Sequence, residues 1–284
     1  EMPKLNTGNQ EVIDYFCKVG RYWIREADID GWRLDVANEI NHDFWRAFKK
    51  AVKEEKDDIF LIGEIWEDST IWLMGDQFDS TMNYTFSYIC REFFAKKIIS
   101  VSQFDQKIHR MNLRYPEMVT RAQMNFLDTH DVSRFFSDCA GDDRKLRLAV
   151  LYMMCAVGIP SVFYGDECGI TGITEPEYRK IMQWGCEDSL IEFYQKCIKI
   201  RKNSKALCTG TYETLICEDR NEIYGFARKT KEETMVVIMN MGEKEQKITI
   251  PGAKHQWLDV FSDEKQDGNQ IVCKGMSGII LRKM

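Results

Sequence analysis

The sequence predicts an α/β protein with a parallel, helix-covered sheet, followed by a separate all-β region. Three observations carry this. Over residues 10–201, apolar spacing alternates between a period near 3.6 and short strand-like runs. Those runs are apolar enough to be buried on both faces, as the strands of a parallel sheet are. Near Asn203 the period falls to 2 and stays there to the C-terminus. The chain has 284 residues, 44% hydrophobic and 30% charged, a composition that excludes disordered and collagen-like classes.

The first element reads as an amphipathic helix over Gln10–Ala27. Val12, Ile13, Phe16, Val19, Tyr22, Trp23 and Ile24 recur at three- and four-residue spacings, and Asp30-Gly31 ends the pattern. Residues 32–37 follow as a strand, with Trp32, Leu34 and Val36 on one face and Arg33, Asp35 and Ala37 on the other. A helix is predicted over 43–55 and a buried strand over 59–65, which ends in an acid, Glu64. Next come a weak strand over 77–82, helices over 84–97 and 102–112, and a strand over 121–129 that runs into His130-Asp131. A strongly apolar helix over 143–157 is broken by Gly158-Ile159-Pro160 before a strand over 161–164, and 190–201 forms a last helix. Strands over 212–217, 222–229, Thr234–Asn240, 246–250, 256–260, 269–273 and 278–282 then build an antiparallel β-sandwich. Two domains are expected, 1–204 and 205–284.

Charge and composition exclude several function classes. A net charge of -6 argues against a phosphate-backbone partner, so no nucleic acid is expected. No apolar run approaches the roughly 20 residues of a membrane span, and the first residues lack the pattern of a signal peptide. Ten cysteines are scattered from Cys17 to Cys273 without a C-x-x-C spacing, which reads as mostly reduced thiols in a cytoplasmic protein.

Three acids share one context. Asp35, Glu64 and Asp131 each sit at or just past the C-terminal end of a predicted parallel strand, the end that forms the active face of a (β/α) barrel. A carboxylate in an apolar strand is costly unless paired or used. Arg33, on the same strand face as Asp35, can hydrogen-bond it and hold it ionised. A structural ion pair of Arg33 with Asp35, a buried hydrogen-bonded Glu64 and a turn at His130-Asp131 are the plain alternatives for each acid alone. The recurrence at three strand ends favours chemistry. Glycoside hydrolysis needs two carboxylates, a nucleophile and a general acid. Aromatic faces at Trp66, Trp72 and Tyr164 suit sugar rings, whereas Trp32 reads better as core. With four histidines and no H-x-x-x-H pair, a zinc site is not expected, and neither serine-nucleophile nor phosphate-loop motifs occur. No metal or cofactor is called for, and calcium dependence is not legible.

The same residues carry a resemblance. Gly31-Trp32-Arg33-Leu34-Asp35-Val36-Ala37-Asn38-Glu39 resembles the fourth-strand motif of the α-amylase family of glycoside hydrolases, and Ile62-Gly63-Glu64-Ile65-Trp66 its fifth-strand motif. Phe126-Leu127-Asp128-Thr129-His130-Asp131-Val132-Ser133-Arg134 resembles the seventh, and Gly158-Ile159-Pro160-Ser161-Val162-Phe163-Tyr164-Gly165-Asp166-Glu167 the eighth. Met2-Pro3-Lys4-Leu5-Asn6 and the Val36-Ala37-Asn38-Glu39 ending are similar to its neopullulanase and cyclomaltodextrinase subgroup.

The resemblance implies a partial (β/α)8 TIM barrel, strands four to eight, followed by the β-sandwich, as the C-terminal part of a larger enzyme. It implies a retaining glycoside hydrolase acting on α-1,4-glucosidic bonds of maltooligosaccharides, cyclomaltodextrins or pullulan. Asp35 would be nucleophile, Glu64 general acid/base and Asp131 the acid that stabilises the transition state; Arg33 would orient Asp35, His130 and Trp66 would bind sugar, and Glu39 would touch the acceptor side. Departures occur at Glu67, where the subgroup often has His, and at Thr174-Glu175-Pro176-Glu177-Tyr178-Arg179, where it usually has Asp-Pro. Two other readings stay open: a catalytically silent fragment or interaction protein with the same fold, and a glucosyl transferase on the same site. The expected partner is an α-glucan oligosaccharide, and a homodimer stays open.

Overall fold

Asn9 starts the first helix by accepting the amide of Glu11 at 2.8 Å, and Asp28, in the left-handed region, ends it. The structure, a computed structural model, describes residues 3–186, 189–252 and 255–284; Met2, in the N-terminal segment of the resemblance, lies outside them. In chain order the elements are α1 (Gln10–Ala27), β1 (Gly31–Leu34), α2 (His42–Glu55), β2 (Phe60–Gly63), β3 (Ser80–Thr81), α3 (Tyr84–Cys90), α4 (Val101–Asn112), α5 (Glu117–Ala122), β4 (Met124–Asn125), α6 (Phe135–Asp138), α7 (Asp143–Cys155), β5 (Ile159–Pro160), α8 (Ser189–Lys202) and α9 (Lys205–Thr209). Eight strands follow: β6 (Thr211–Glu218), β7 (Ile223–Lys229), β8 (Thr234–Asn240), β9 (Gln246–Thr249), β10 (Gln256–Asp259), β11 (Lys265–Asp267), β12 (Gln270–Cys273) and β13 (Ser277–Lys283). They fold into two compact units, residues 1–85 with 113–124 and residues 86–112 with 125–284.

In the first unit, β1, β2 and β3 form a parallel sheet in that order, and α1 packs on α2. Ile13 and Ile24 of α1 and Phe44, Trp45, Phe48 and Val52 of α2 bury their apolar faces against Leu34, Ile59, Leu61 and Ile65. Each such side chain contributes about 1.5–3 kcal/mol through burial. Gly20 permits the helix contact: a Cβ there would lie 2.8 Å from Phe48 and Val52. The strands stop earlier than their apolar runs predict. β1 ends at Leu34 rather than at 37, because Val36 turns into the left-handed region (φ 44°) and gives its N–H to the Glu64 side chain at 2.9 Å. A carboxylate has replaced a ladder partner. β2 and β3 likewise keep only part of 59–65 and 77–82.

In the second unit, α7 is buried almost all round, from Leu148 through Cys155, which explains its unbroken apolar sequence. It packs among Phe86, Phe94 and Phe104 and against one face of a six-stranded antiparallel sheet ordered β11-β10-β13-β8-β7-β6. Tyr224, Phe226, Met235, Val237 and Met239 line that face. The alternate residues Ile223, Ala227, Val236 and Ile238 pack against Ile248 and Ile271 of the β9–β12 pair. Both faces of β7 and β8 are therefore covered, and the C-terminal region is an antiparallel sandwich.

Several expectations need correction. Residues 121–129 do not form one strand: Arg121 and Ala122 belong to α5, and β4 is limited to Met124–Asn125. Beyond it the Leu127 carbonyl is taken by the Ser87 hydroxyl at 2.6 Å instead of a ladder. Residues 161–164 form no strand; pairing there reduces to Ser161 N–H to the Asn125 carbonyl at 2.7 Å, after β5. α5, α6, α9 and β11 are additions. The helix predicted over 84–97 is α3 followed by a wider π turn, Arg91–Ala95. Among the cysteines, Cys168 and Cys186 form a disulfide, while the other eight are free. No helix among the described residues is long and apolar enough to cross a membrane.

Candidate active site

β1 and β2 run in register, Arg33 beside Ile62 and Leu34 beside Gly63, and Glu64 N–H continues the pairing to the Leu34 carbonyl at 2.9 Å. Asp35 and Glu64 therefore leave the sheet at the same level, at the C-terminal ends of neighbouring parallel strands. Gly31 allows the strands this approach, since a Cβ there would lie 2.4 Å from the Phe60 carbonyl oxygen.

Arg33 joins the two acids. Its Nη2 is 2.9 Å from Glu64 Oε1 and its Nη1 donates to Asp35 Oδ1. The environments of the acids differ sharply. Glu64 is 4% exposed, whereas the Asp35 side chain is 72% exposed. A buried carboxylate needs donors on all sides, and Glu64 has them: Val36 N–H at Oε2, and Trp66 Nε1 (3.3 Å) and Tyr84 Oη (3.4 Å) at Oε1. Trp66 stacks on Tyr84 with ring centroids 4.3 Å apart and keeps 43% of its surface exposed. One acid is thus fixed in a polar pocket and the other projects outward, with an aromatic face beside them. The left-handed Val36, a β-branched residue where glycine is favoured, is a strained backbone position directly after Asp35. Glu39 ends the 3-10 turn Ala37–Glu39 and pairs with Lys4 at 3.4 Å. Trp32 packs edge-on to Phe48, and Trp72 is buried.

His130 and Asp131 belong to the second unit, on the loop between β4 and α6. Asp131 Oδ2 lies 3.1 Å from His130 Nε2, and Asp131 Oδ1 accepts from Arg179 Nη2 at 2.7 Å. Arg179 also donates Nε–H to the His130 carbonyl at 2.8 Å, so one guanidinium holds both the backbone and the side chain of this loop tip. The sequence signal was available: Arg179 closes the segment after the eighth-strand motif, but nothing in its spacing says which acid it meets.

Beneath that tip lies a buried polar cluster that strand periodicity does not reveal. Arg134, fully buried, donates to the carbonyls of Tyr164 (2.7 Å) and Tyr178 (3.0 Å) and to Asp166 Oδ1 (2.9 Å). Its guanidinium carbon lies 3.9 Å from the Phe163 ring centroid, a cation–π contact. Asp128 Oδ2 accepts Phe135 N–H at 2.6 Å, closing the base of the loop that carries His130 and Asp131. Among the described residues no group of three His, Cys, Asp or Glu side chains is arranged to hold a metal ion.

Comparison with known proteins gives this geometry a family. The chain is 41% identical over 291 residues to neopullulanase 2 of Thermoactinomyces vulgaris, covering 99% of this chain and 49% of that protein. It is 37% identical over 254 residues to the intracellular maltogenic amylase of Bacillus subtilis (strain 168), covering 88% of this chain and 43% of that one. A solved cyclomaltodextrinase structure superposes with a TM-score of 0.94 at 36% identity, covering all of this chain and 50% of the other. The chain thus spans about half the length of the relatives it matches. Residues 1–184 match the alpha amylase catalytic domain, and the chain belongs to the α-amylase family, with the C-terminal part of its (β/α)8 barrel followed by the β-sandwich.

Proposed function

We propose that a protein carrying this chain is a retaining glycoside hydrolase of α-1,4-linked glucans, taking maltooligosaccharides, cyclomaltodextrins or pullulan. The observation that supports this most is Arg33 between an exposed Asp35 and a buried, fully donor-lined Glu64 at adjacent strand ends.

Asp35 attacks the anomeric carbon, and the bond from that carbon to the glycosidic oxygen breaks as Glu64 gives that oxygen a proton. Glu64 then takes a proton from water, whose oxygen attacks the same carbon and releases Asp35. Arg33 aims the Asp35 carboxylate. Asp131 stabilises positive charge on the sugar ring, His130 hydrogen-bonds it, Trp66 offers a stacking face and Glu39 reaches the acceptor side. No cofactor takes part.

The names of the relatives, neopullulanase, cyclomaltodextrinase and maltogenic amylase, support the substrate class, and an intracellular maltogenic amylase among them, with eight free thiols here, supports a cytoplasmic location. The test is the configuration of the first product released from maltotriose or a cyclomaltodextrin by a protein that carries this chain over the full length of its relatives. The α-anomer is expected, and initial release of the β-anomer would exclude Asp35 as nucleophile.

A further inference from the structure

Asp128 is 1% exposed and Asp166 is 7% exposed, and the two buried carboxyls interact with each other and with Arg134. Asp128 Oδ2 takes Phe135 N–H, but its Oδ1, fully buried, meets no N–H or hydroxyl donor. A proton on one of the two acids supplies the missing donor for that Oδ1 and removes the repulsion between them.

Charge points the same way. The groups facing the pair are Arg134; Arg91 with its partner Asp138; Cys139; Tyr194 of α8, whose buried hydroxyl is also unbonded; and Glu167, held by Gly165 N–H. With Arg91, Arg134, Asp138, Glu167 and both acids ionised, the cluster holds four negative and two positive charges. One proton halves that excess.

We propose that Asp128 and Asp166 share a single proton, and that this acid–carboxylate pair positions the loop carrying His130 and Asp131. Asp128 pins the loop base through Phe135. Asp166 fixes Arg134, which holds the Tyr178 carbonyl, and the next residue, Arg179, grips Asp131 and the His130 backbone. The glycosidase reading enters only in naming what is positioned; the proton itself is independent of it.

Burial, and then the neighbouring Asp128 charge, push the Asp166 carboxyl well above its ordinary value of 3.8, and burial raises Asp128 as well. A carboxyl that binds its proton more tightly in the folded than in the unfolded chain contributes stability that is full below about pH 4 and lost as pH rises through its folded value. The pair therefore destabilises the chain toward alkaline pH.

The test uses a protein that carries this chain over the full length of its relatives and needs no turnover. Wild-type infrared spectra at pH 6 are expected to show a protonated carboxyl band that Asp166→Asn removes and that vanishes in the wild type as pH is raised. Asp166→Asn keeps a donor toward Asp128, so it is expected to fold and to lose the alkaline fall in urea-unfolding stability; Asp128→Asn is expected to lose the same band. If Asp166→Asn does not fold, the pH dependence of the wild-type band decides. The His130 ring resonance, assigned through His130→Gln, is expected to shift with the titration of the pair, and to lose that shift in Asp166→Asn. Absence of the band at pH 6, or an unchanged alkaline slope in folded Asp166→Asn, would overturn the shared proton. A His130 resonance that does not follow the pair would overturn the positioning.

Discussion

Arg33 illustrates what alternation along a strand does and does not convey. The spacing places its side chain beside Asp35, and the structure shows that bond, but the same guanidinium also reaches Glu64 on the next strand. That second contact depends on the register of β1 and β2, which no local pattern encodes. Tyr84 and Val36, two of the other donors to Glu64, were invisible for the same reason. Replacing Arg33 with Ala leaves Glu64 buried with only neutral donors. We expect a loss of about 1–3 kcal/mol in urea unfolding, and no loss would show that Glu64 is adequately satisfied without the cation. Glu64→Gln keeps the shape of the pocket and removes the transferable proton. In a full-length protein it is expected to lower kcat on maltooligosaccharides by about 10²–10⁴-fold, with much smaller loss on an aryl glycoside whose leaving group needs no proton. Equal losses on both substrates would contradict the general-acid role.

Elements with strong periodicity were the most legible. α1, α7, α8 and β8 lie within two residues of their predicted bounds, although in α1 only Ile13 and Ile24 of the predicted stripe are buried and Tyr22 and Trp23 are exposed. Short barrel strands were not: 121–129 and 161–164 carry apolar residues that pack in loops, and the Ser87 hydroxyl takes the Leu127 carbonyl that a ladder would have paired. At this scale packing density decides stability. Phe104 of α4 is fully buried, stacked on Phe93 at 4.1 Å and edge-on to Tyr152 and Tyr224. Phe104→Ala is expected to cost about 3–5 kcal/mol. Trp184, 87% exposed, serves as the control, and Trp184→Ala is expected to stay within about 0.5 kcal/mol of the wild type. Similar losses for both would mean that the α4 contact is not a packed core.

Across the whole molecule, composition gave the soluble-type apolar and charged balance but not the cysteine pairing. Cys168 and Cys186, seventeen residues of intervening chain apart in no recognisable spacing, are joined by the fold of the segment after β5. Alkylation of the denatured, unreduced chain is expected to modify eight thiols, and ten after reduction; ten before reduction would remove the disulfide from the account. The central claim is that Asp35 is the nucleophile of an α-glucan hydrolase, and it is tested most directly by cyclomaltodextrin hydrolysis. The comparison is between a protein carrying this chain over the full length of its relatives and its Asp35→Asn variant. The account predicts that Asp35→Asn, folded as judged by an unchanged unfolding midpoint, loses at least about 10³-fold in kcat, in line with the loss of a covalent nucleophile. Retention of most of the wild-type rate would contradict it.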